Sequence, residues 1–175
     1  MRIVAGTHRG HTIYAPKGRD TRPTSDRVRE NVFNILGPVD GAAVLDLYAG
    51  SGAMGLEALS RGAARAVFVE RDGDAVRAIE RNLDKLRLAA TVLRQDAVTA
   101  LAAEAASGRK YDLVLVDPPY DMYSDIEPQL ARYLPALLAD DGVVVVETGA
   151  RIEPSLPFEQ RTSRTYGAAR ITVYG

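Results

Sequence analysis

Short runs of aliphatic and β-branched residues alternate with amphipathic segments from residue 44 onward. Runs of this length are typical of strands buried on both faces of a parallel sheet. Five such strands are predicted, at Val44–Tyr48, Ala66–Glu70, Thr91–Gln95, Leu113–Asp117 and Val143–Thr148. Apolar residues recur at helical spacing between them, which predicts helices at Met54–Arg61, Asp74–Leu88, Ala97–Ala106 and Asp125–Leu138. This alternation predicts an α/β fold with a doubly wound, mostly parallel sheet.

Both ends of the chain depart from the alternation. Phe158–Arg164 and Ala169–Tyr174 predict an antiparallel hairpin that completes a seven-stranded sheet. At the front, Arg2–Ala5 and His11–Tyr14 predict a second hairpin, and Thr24–Leu36 predicts a helix. We therefore expect an N-terminal extension over residues 1–38 and a core domain over residues 39–175.

Composition narrows the chemistry. The chain has no cysteine and only two histidines, His8 and His11, so thiolate zinc sites, cysteine nucleophiles and histidine-rich metal centres are excluded. No metal site is expected. The N-terminus lacks the long apolar core of a signal peptide, and no run approaches the ~20 apolar residues of a membrane span, so we expect a cytoplasmic protein.

Charge is distributed unevenly along the chain. Residues 1–30 hold seven Lys or Arg and three acids, whereas residues 31–150 hold eleven Lys or Arg and eighteen acids. A basic segment on an acidic body is consistent with a polyanionic partner, although short segments often deviate this far by chance.

A glycine-rich loop follows the first predicted strand of the core. Gly50, Gly52 and Gly55 have the G-x-G-x-x-G spacing of nucleotide-binding loops, between a strand and a helix. Asp46 lies four residues before the first glycine and would repel the pyrophosphate of NAD. An acid there suits a ligand with a cationic amino group and a sulfonium, which favours S-adenosyl-L-methionine.

Two further acids lie at the ends of neighbouring strands. Glu70 ends the second predicted strand, where a carboxylate can accept hydrogen bonds from ribose hydroxyls. Asp96 follows the third, where an acid can accept from an adenine amino group. The pair supports a nucleoside-containing ligand.

The fourth predicted strand runs into Asp117-Pro118-Pro119-Tyr120. The Asp117 carboxylate and the Pro118 carbonyl can accept the two N–H groups of an exocyclic amine, which aims its lone pair at a methyl donor. Asp117 can also take the departing proton, directly or through water. Tyr120 would stack on a base taken out of its helix. We therefore interpret Asp117, Pro118, Pro119 and Tyr120 as the catalytic motif.

These residues resemble known motifs. Asp46 through Gly52 resembles motif I of class I methyltransferases, and Asp117 through Tyr120 resembles the (Asp/Asn)-Pro-Pro-(Tyr/Phe) motif of the amino-directed branch. Two further stretches resemble the N-terminal part of the RsmD family: Arg2 through Gly6 with Arg9-Gly10, and Arg22 through Glu30. The resemblance to that family extends over essentially the whole chain. That family methylates N2 of one guanine in bacterial 16S ribosomal RNA.

The resemblance implies a Rossmann-like fold, S-adenosyl-L-methionine as cofactor and 16S rRNA in a partly or fully assembled small ribosomal subunit as substrate. Ribosomal proteins are plausible contacts, and nothing points to an obligate dimer. By the resemblance Asp46, Gly50 and Gly52 hold the methionine end, Glu70 the ribose, and Asp96 with Ala97 the adenine. The cofactor site predicted in full comprises Asp46, Ala49, Gly50, Ser51, Gly52, Glu70, Arg71, Asp96, Ala97 and Asp117.

Basic residues of the extension are predicted to contact RNA phosphates, which position a protein without reading sequence. The alternative interpretation is that these residues belong to a solvated helix face. The predicted RNA contacts are Arg2, Arg9, Lys17, Arg19, Arg22, Arg27 and Arg29.

Three other functions remain open from the sequence. The same chemistry serves amino-directed enzymes that act on DNA adenine or a protein glutamine. The glycine loop also occurs in NAD-dependent oxidoreductases, and a non-catalytic RNA-binding module could retain the fold.

Overall fold

The computed structural model describes residues 1–16 and 25–175. It contains one seven-stranded sheet in the order β3-β2-β1-β4-β5-β7-β6. All pairs are parallel except β7, which is antiparallel to both β5 and β6. The mostly parallel sheet with a C-terminal hairpin is thus confirmed. The strands are β1 Ala43–Leu47, β2 Arg65–Val69, β3 Thr91–Leu93, β4 Tyr111–Val116, β5 Leu138–Gly149, β6 Gln160–Tyr166 and β7 Ala169–Tyr174.

In the part of the chain that the structure describes, five α-helices surround the sheet: α1 Asp26–Leu36, α2 Ala53–Ser60, α3 Gly73–Leu86, α4 Ala97–Ser107 and α5 Tyr123–Leu137. One apolar cluster joins α1, α2 and α3 to one face of the sheet, and a second joins α4 and α5 to the other. Successive residues of a strand point to opposite faces of the sheet and so belong to different clusters. Val44 belongs to the first cluster, and Leu45 belongs to the second. None of the helices in residues 1–16 and 25–175 is both long and apolar enough to span a bilayer.

The N-terminal hairpin is shorter than predicted. Its arms share a single antiparallel bridge, Arg2 with Thr12, supported by the bond from the Ile3 N–H to the His11 carbonyl at 2.9 Å. The pairing stops there because the N–H groups of Val4 and Ala5 donate to a side chain of α2 instead. Lys17, Arg19 and Arg22, three of the predicted RNA contacts, lie outside the described residues.

The side chain of α2 that accepts these two hydrogen bonds is the fully buried carboxylate of Glu57. It accepts from the N–H groups of Val4 at 2.8 Å and Ala5 at 3.0 Å, and from the Nε atoms of Arg29 at 3.2 Å and Arg61 at 2.9 Å. Four donors compensate the cost of burying this charge. Glu57 therefore fastens the extension to the core.

Arg29 was wrongly predicted to contact RNA. Its side chain is 0% exposed, and it pairs with Glu57 and with Asp26 at 2.8 Å. The helical pattern alone placed it near the polar side of α1, but this side of the helix faces α2. Arg29 is a structural residue. The division of the chain at residue 38 stays a prediction, since the extension also shares its apolar core with α2 and α3.

Candidate functional site

A cavity of about 730 Å³ opens at the carboxyl ends of β1, β2, β4 and β5. Ligands of α/β proteins bind at this edge, and the volume lies in the usual range for a small-molecule site. The cavity brings together nearly all of the catalytic and cofactor-binding residues predicted from the sequence, and none of the predicted RNA contacts that the structure describes. The lining includes Asp46, Ala49, Gly50, Ser51, Glu70, Arg71, Asp96, Ala97, Asp117, Pro118, Pro119 and Tyr120.

Gly52 is the predicted cofactor residue that does not line the cavity. It stands immediately before α2 with a φ of 82°, in the left-handed region that favours glycine. A Cβ there would lie 3.3 Å from the side chains of Ile79 and Phe68. Gly52 therefore shapes the loop through its backbone and its packing, and Gly50, with a φ of 58°, is the glycine of the pair that lines the cavity.

Asp46 lies at the end of β1 and is only 3% exposed. Its Oδ2 atom accepts a hydrogen bond from the Gly55 N–H at 3.0 Å, in the first turn of α2. The pKa of Asp46 is raised to about 8, mainly by burial and also by the charge of Glu70, against the lowering effect of that bond. A cationic ligand in the cavity would favour the ionised form again.

Backbone groups orient the next two acids. Glu70 accepts from the Gly50 N–H at 2.9 Å and from the Asp72 N–H at 3.0 Å, so each carboxylate oxygen is fixed by one bond. Asp96 is the N-cap of α4, where its Oδ2 atom accepts from the N–H groups of Val98 and Thr99. Both acids are held at the cavity by the chain itself, which suits them to bind hydroxyl or amino donors.

The Asp-Pro-Pro-Tyr segment forms the wall of the cavity beyond β4. Asp117 is half-buried there, and desolvation raises its pKa well above the usual value. The charges of Glu147 and Asp46 and a side-chain hydrogen bond with Glu147 add to the increase. Tyr120 begins a single 3-10 turn, and its hydroxyl donates to Glu147 Oε1 at 3.0 Å.

Glu147 is a cavity residue that was not predicted from the sequence. It follows four valines in β5, and the register that pairs Val116 with Val146 places residue 147 beside residue 117. An acid directly after a buried apolar run, as Asp117 also is, was the available signal. Other lining residues without a sequence signal are Met1, Ala15, Pro16, Tyr48, Gln95, Met122 and Ile171.

A buried amide, that of Asn82, joins the extension to the glycine loop beside the cavity. Asn82 of α3 accepts from the Tyr14 N–H at 2.7 Å, and its Nδ2 donates to the Tyr14 carbonyl at 3.0 Å. The same nitrogen donates to the Ser51 carbonyl at 3.1 Å. Asn82 thus connects the glycine loop to the N-terminal segment that forms part of the cavity wall.

Three predicted phosphate contacts lie on the surface. Arg2, Arg9 and Arg27 are exposed. Arg2 also pairs with Asp26 at 3.2 Å, where its side chain is 67% exposed, so the pair is screened by solvent. Surface location leaves these three available to a polyanion.

Comparison with known proteins gives concordant results. The family model described as Conserved hypothetical protein 95 matches residues 1–175. YlbH of Bacillus subtilis (strain 168) is 38% identical over 99% of this chain and 98% of its own length. Ribosomal RNA small subunit methyltransferase D of Escherichia coli (strain K12) is 39% identical over 90% of this chain and 78% of its own length.

The chain is also similar to proteins of known structure. A protein of Thermus thermophilus is 31% identical, with a TM-score of 0.86, and the match covers 99% of this chain and 98% of that one. More distant neighbours include methyltransferases in complex with S-adenosyl-L-homocysteine. At 17% and 18% identity these last show the fold alone.

Proposed function

The chain belongs to the RsmD family, and on that premise we propose that it transfers a methyl group from S-adenosyl-L-methionine to N2 of a specific guanine in 16S rRNA. The observation that carries the proposal is the position of Asp117-Pro118-Pro119-Tyr120 in the same cavity as the glycine loop. A cofactor loop and an amine-binding motif on one cavity suit a methyltransferase directed at an amino group.

The cavity suits the cofactor in its volume and in the charges of its lining residues. S-adenosyl-L-methionine supplies an electrophilic methyl group on a sulfonium. Asp46 offers a buried carboxylate to the cationic methionine end, Glu70 an oriented carboxylate to the ribose, and Asp96 an acceptor to the adenine amino group. Ala49, Gly50, Ser51, Arg71 and Ala97 complete the proposed cofactor contacts.

The acceptor amine is bound by the segment after β4. The N2 amino group of guanine is a weak nucleophile, because its lone pair is delocalised into the ring. Hydrogen bonds to the Asp117 carboxylate and the Pro118 carbonyl would hold both of its protons and orient the nitrogen. The raised pKa of Asp117 suits it to take the proton released on methylation. Tyr120 would stack on the guanine ring.

Basic residues of the extension are proposed to place the RNA. Arg2, Arg9 and Arg27 are exposed, on a chain whose middle part is acidic. Phosphate contacts there would position the small subunit over the cavity, with ribosomal proteins as additional contacts. Such a substrate is consistent with a monomer that acts in the cytoplasm.

The test is methylation of small ribosomal subunits that lack the modification. With radiolabelled S-adenosyl-L-methionine, we expect incorporation into 16S rRNA at a single guanine, mapped by mass spectrometry. Asp117→Ala should abolish incorporation even at S-adenosyl-L-methionine concentrations that saturate the variant. Asp125→Ala, an exposed acid on α5, is the matched control and should retain activity.

Three outcomes would contradict the proposal. No incorporation by a protein that binds S-adenosyl-L-homocysteine would exclude this substrate. Label in duplex DNA or in a protein would assign the chemistry to another amine. Preferential binding of NAD would exclude the cofactor.

A further inference from the structure

The cavity contains more acid than the proposed cofactor requires. Arg71 provides the one cationic side chain among its described lining residues, whereas six lining residues are acids. A cavity of this kind favours a ligand that presents hydrogen-bond donors. Three of the acids are already matched to the cofactor, and Asp117 to the acceptor amine. The remaining two are Asp121, which is exposed, and Glu147.

Glu147 is built into the acceptor side of this cavity. It lies beside Asp117, because β4 and β5 are parallel neighbours in the register that pairs Val116 with Val146. The two carboxyl groups are hydrogen-bonded to each other. The Tyr120 hydroxyl donates to Glu147 Oε1 at 3.0 Å, so the residue proposed to stack on the base also orients this carboxyl group.

The bases differ in the hydrogen-bond donors and acceptors that they would present to the two adjacent carboxyl groups. Guanine carries a ring N1–H directly beside its amino group, so it presents donors on neighbouring atoms. Adenine and cytosine also carry an exocyclic amine, but the ring nitrogen beside it is an acceptor. A second carboxylate beside the amine-binding group therefore matches guanine and opposes the other two bases.

Resting on the proposed function, we propose that Glu147 accepts a hydrogen bond from N1–H of the target guanine and thereby selects guanine over other amino-bearing bases. Asp117 binds the reacting amino group, and Glu147 binds the ring N–H next to it. When the two carboxyl groups share one proton, each still offers an oxygen to the base. Tyr120 positions Glu147 while its ring stacks, so stacking and recognition are set by one residue.

The experiment exchanges the ring N–H of the target. Small subunits are assembled with 16S rRNA that carries either guanine or 2-aminopurine at the methylated position. 2-Aminopurine retains the reacting amino group, but its N1 is an acceptor. The wild-type protein should prefer guanine in kcat/KM by at least about tenfold, since the analogue leaves a charged acceptor unmatched.

Glu147→Gln should change that preference. The amide retains the reach of the side chain, and its NH₂ group can donate to N1 of 2-aminopurine. We expect kcat/KM on guanine to fall about ten- to hundredfold. We also expect 2-aminopurine to be equalled or favoured, so the ratio collapses. Glu153→Gln, an exposed acid beyond β5, should leave both rates unchanged.

The outcomes separate the two proposals. A wild-type protein that does not methylate guanine in these subunits fails the proposed function. A wild-type protein that is active, with a variant that loses the same factor on both bases, overturns the role of Glu147. If Glu147→Gln does not fold, as judged by its melting temperature and S-adenosyl-L-homocysteine binding, Glu147→Asp decides. The shorter acid should lower the preference for guanine, and an unchanged preference overturns the inference.

Discussion

The carboxylate of Asp46 accepts a hydrogen bond from the backbone N–H of Gly55, across 3.0 Å. The bond joins the end of β1 to the first turn of α2, on either side of the glycine loop. The three glycines of this loop look equivalent in the sequence, but they have different structural roles. Gly50 lines the cavity, Gly52 adopts a left-handed conformation, and Gly55 lets α2 approach the strands closely.

Gly55→Ala should destabilise the protein through crowding. A Cβ at this position would lie 2.4 Å from the Phe68 ring and 3.0 Å from Asp46 Oδ2, both of which are buried. Overpacking of this kind costs roughly 1–3 kcal/mol, measurable by urea unfolding. Gly37→Ala is the comparison variant. Gly37 has a positive φ and open space where a Cβ would lie, so its loss of stability measures backbone strain without crowding. Equal stability of wild type and Gly55→Ala would contradict the packing argument.

Binding of S-adenosyl-L-homocysteine should release a proton below pH 8. The pKa of Asp46 in the free protein is about 8, because burial disfavours the charged form. A cationic amino group beside it requires the ionised form, so affinity should rise from pH 6 to pH 8, by at most about tenfold per pH unit. Calorimetry at pH 7 in buffers of different ionisation enthalpy measures the released proton.

Asp46→Asn is the control for this pH dependence. The amide retains a carbonyl oxygen for the Gly55 N–H but cannot ionise. We expect weaker binding at pH 8 and a smaller slope of affinity with pH. A slope that is the same in the variant would assign the proton to another group, of which Asp117 is the first to test.

Arg29→Ala should destabilise the fold strongly despite its place in a basic segment. Removal of the guanidinium leaves the buried Glu57 with Arg61 as its remaining cationic partner among the described residues. Breaking a buried pair from one side costs about 3–5 kcal/mol. Thermal unfolding measures the loss, and the exposed Arg27→Ala should melt within a degree or two of wild type. Similar melting of both variants would refute the structural role of Arg29.

Tyr120 has two contributions that substitution can separate. Tyr120→Ala removes the ring as well as the hydroxyl, and we expect kcat/KM to fall about ten- to hundredfold, the cost of one base stacked on an aromatic ring. Tyr120→Phe removes only the donor to Glu147, so the loss should be smaller. Steady-state methylation of small subunits gives both values, and a larger loss for Phe than for Ala would be inconsistent with stacking.

The exposed arginines of the extension should act through charge. Arg9→Ala and Arg27→Ala should each weaken binding to small subunits and reduce the slope of log affinity against log salt by about 0.7–0.9. Binding is titrated between roughly 50 and 200 mM salt, the range in which phosphate contacts weaken most visibly. Arg132→Ala, an exposed site on α5, is the control, and an equal change there would indicate a non-specific effect.

The sequence predicted the sheet and most of the cavity because both follow from local patterns. Apolar runs mark parallel strands, and parallel strands bring their carboxyl ends to one edge. Asp46, Glu70 and Asp117 could thus be placed together from the sequence alone. Asp96 followed for the same reason, although β3 is only three residues long.

What the sequence could not predict depends on partners far away in the chain. A helical pattern shows which side of α1 is polar, but not that Glu57, 28 residues further on, meets Arg29 there. The valine run before Glu147 marks it as an acid at a strand end, but no local pattern shows that its neighbour is Asp117. Only the register between β4 and β5 places it beside Asp117.

Asn82 binds Tyr14 on one side and Ser51 on the other, and this has a bearing on how such an enzyme can be re-engineered. The N-terminal segment supplies Met1, Ala15 and Pro16 to the cavity as well as exposed arginines. Grafting a foreign substrate-recognition segment in its place would remove part of the cofactor cavity and take away the Tyr14 partner of the buried Asn82 amide. Retargeting is therefore better attempted by exchanging single exposed side chains than by exchanging the segment.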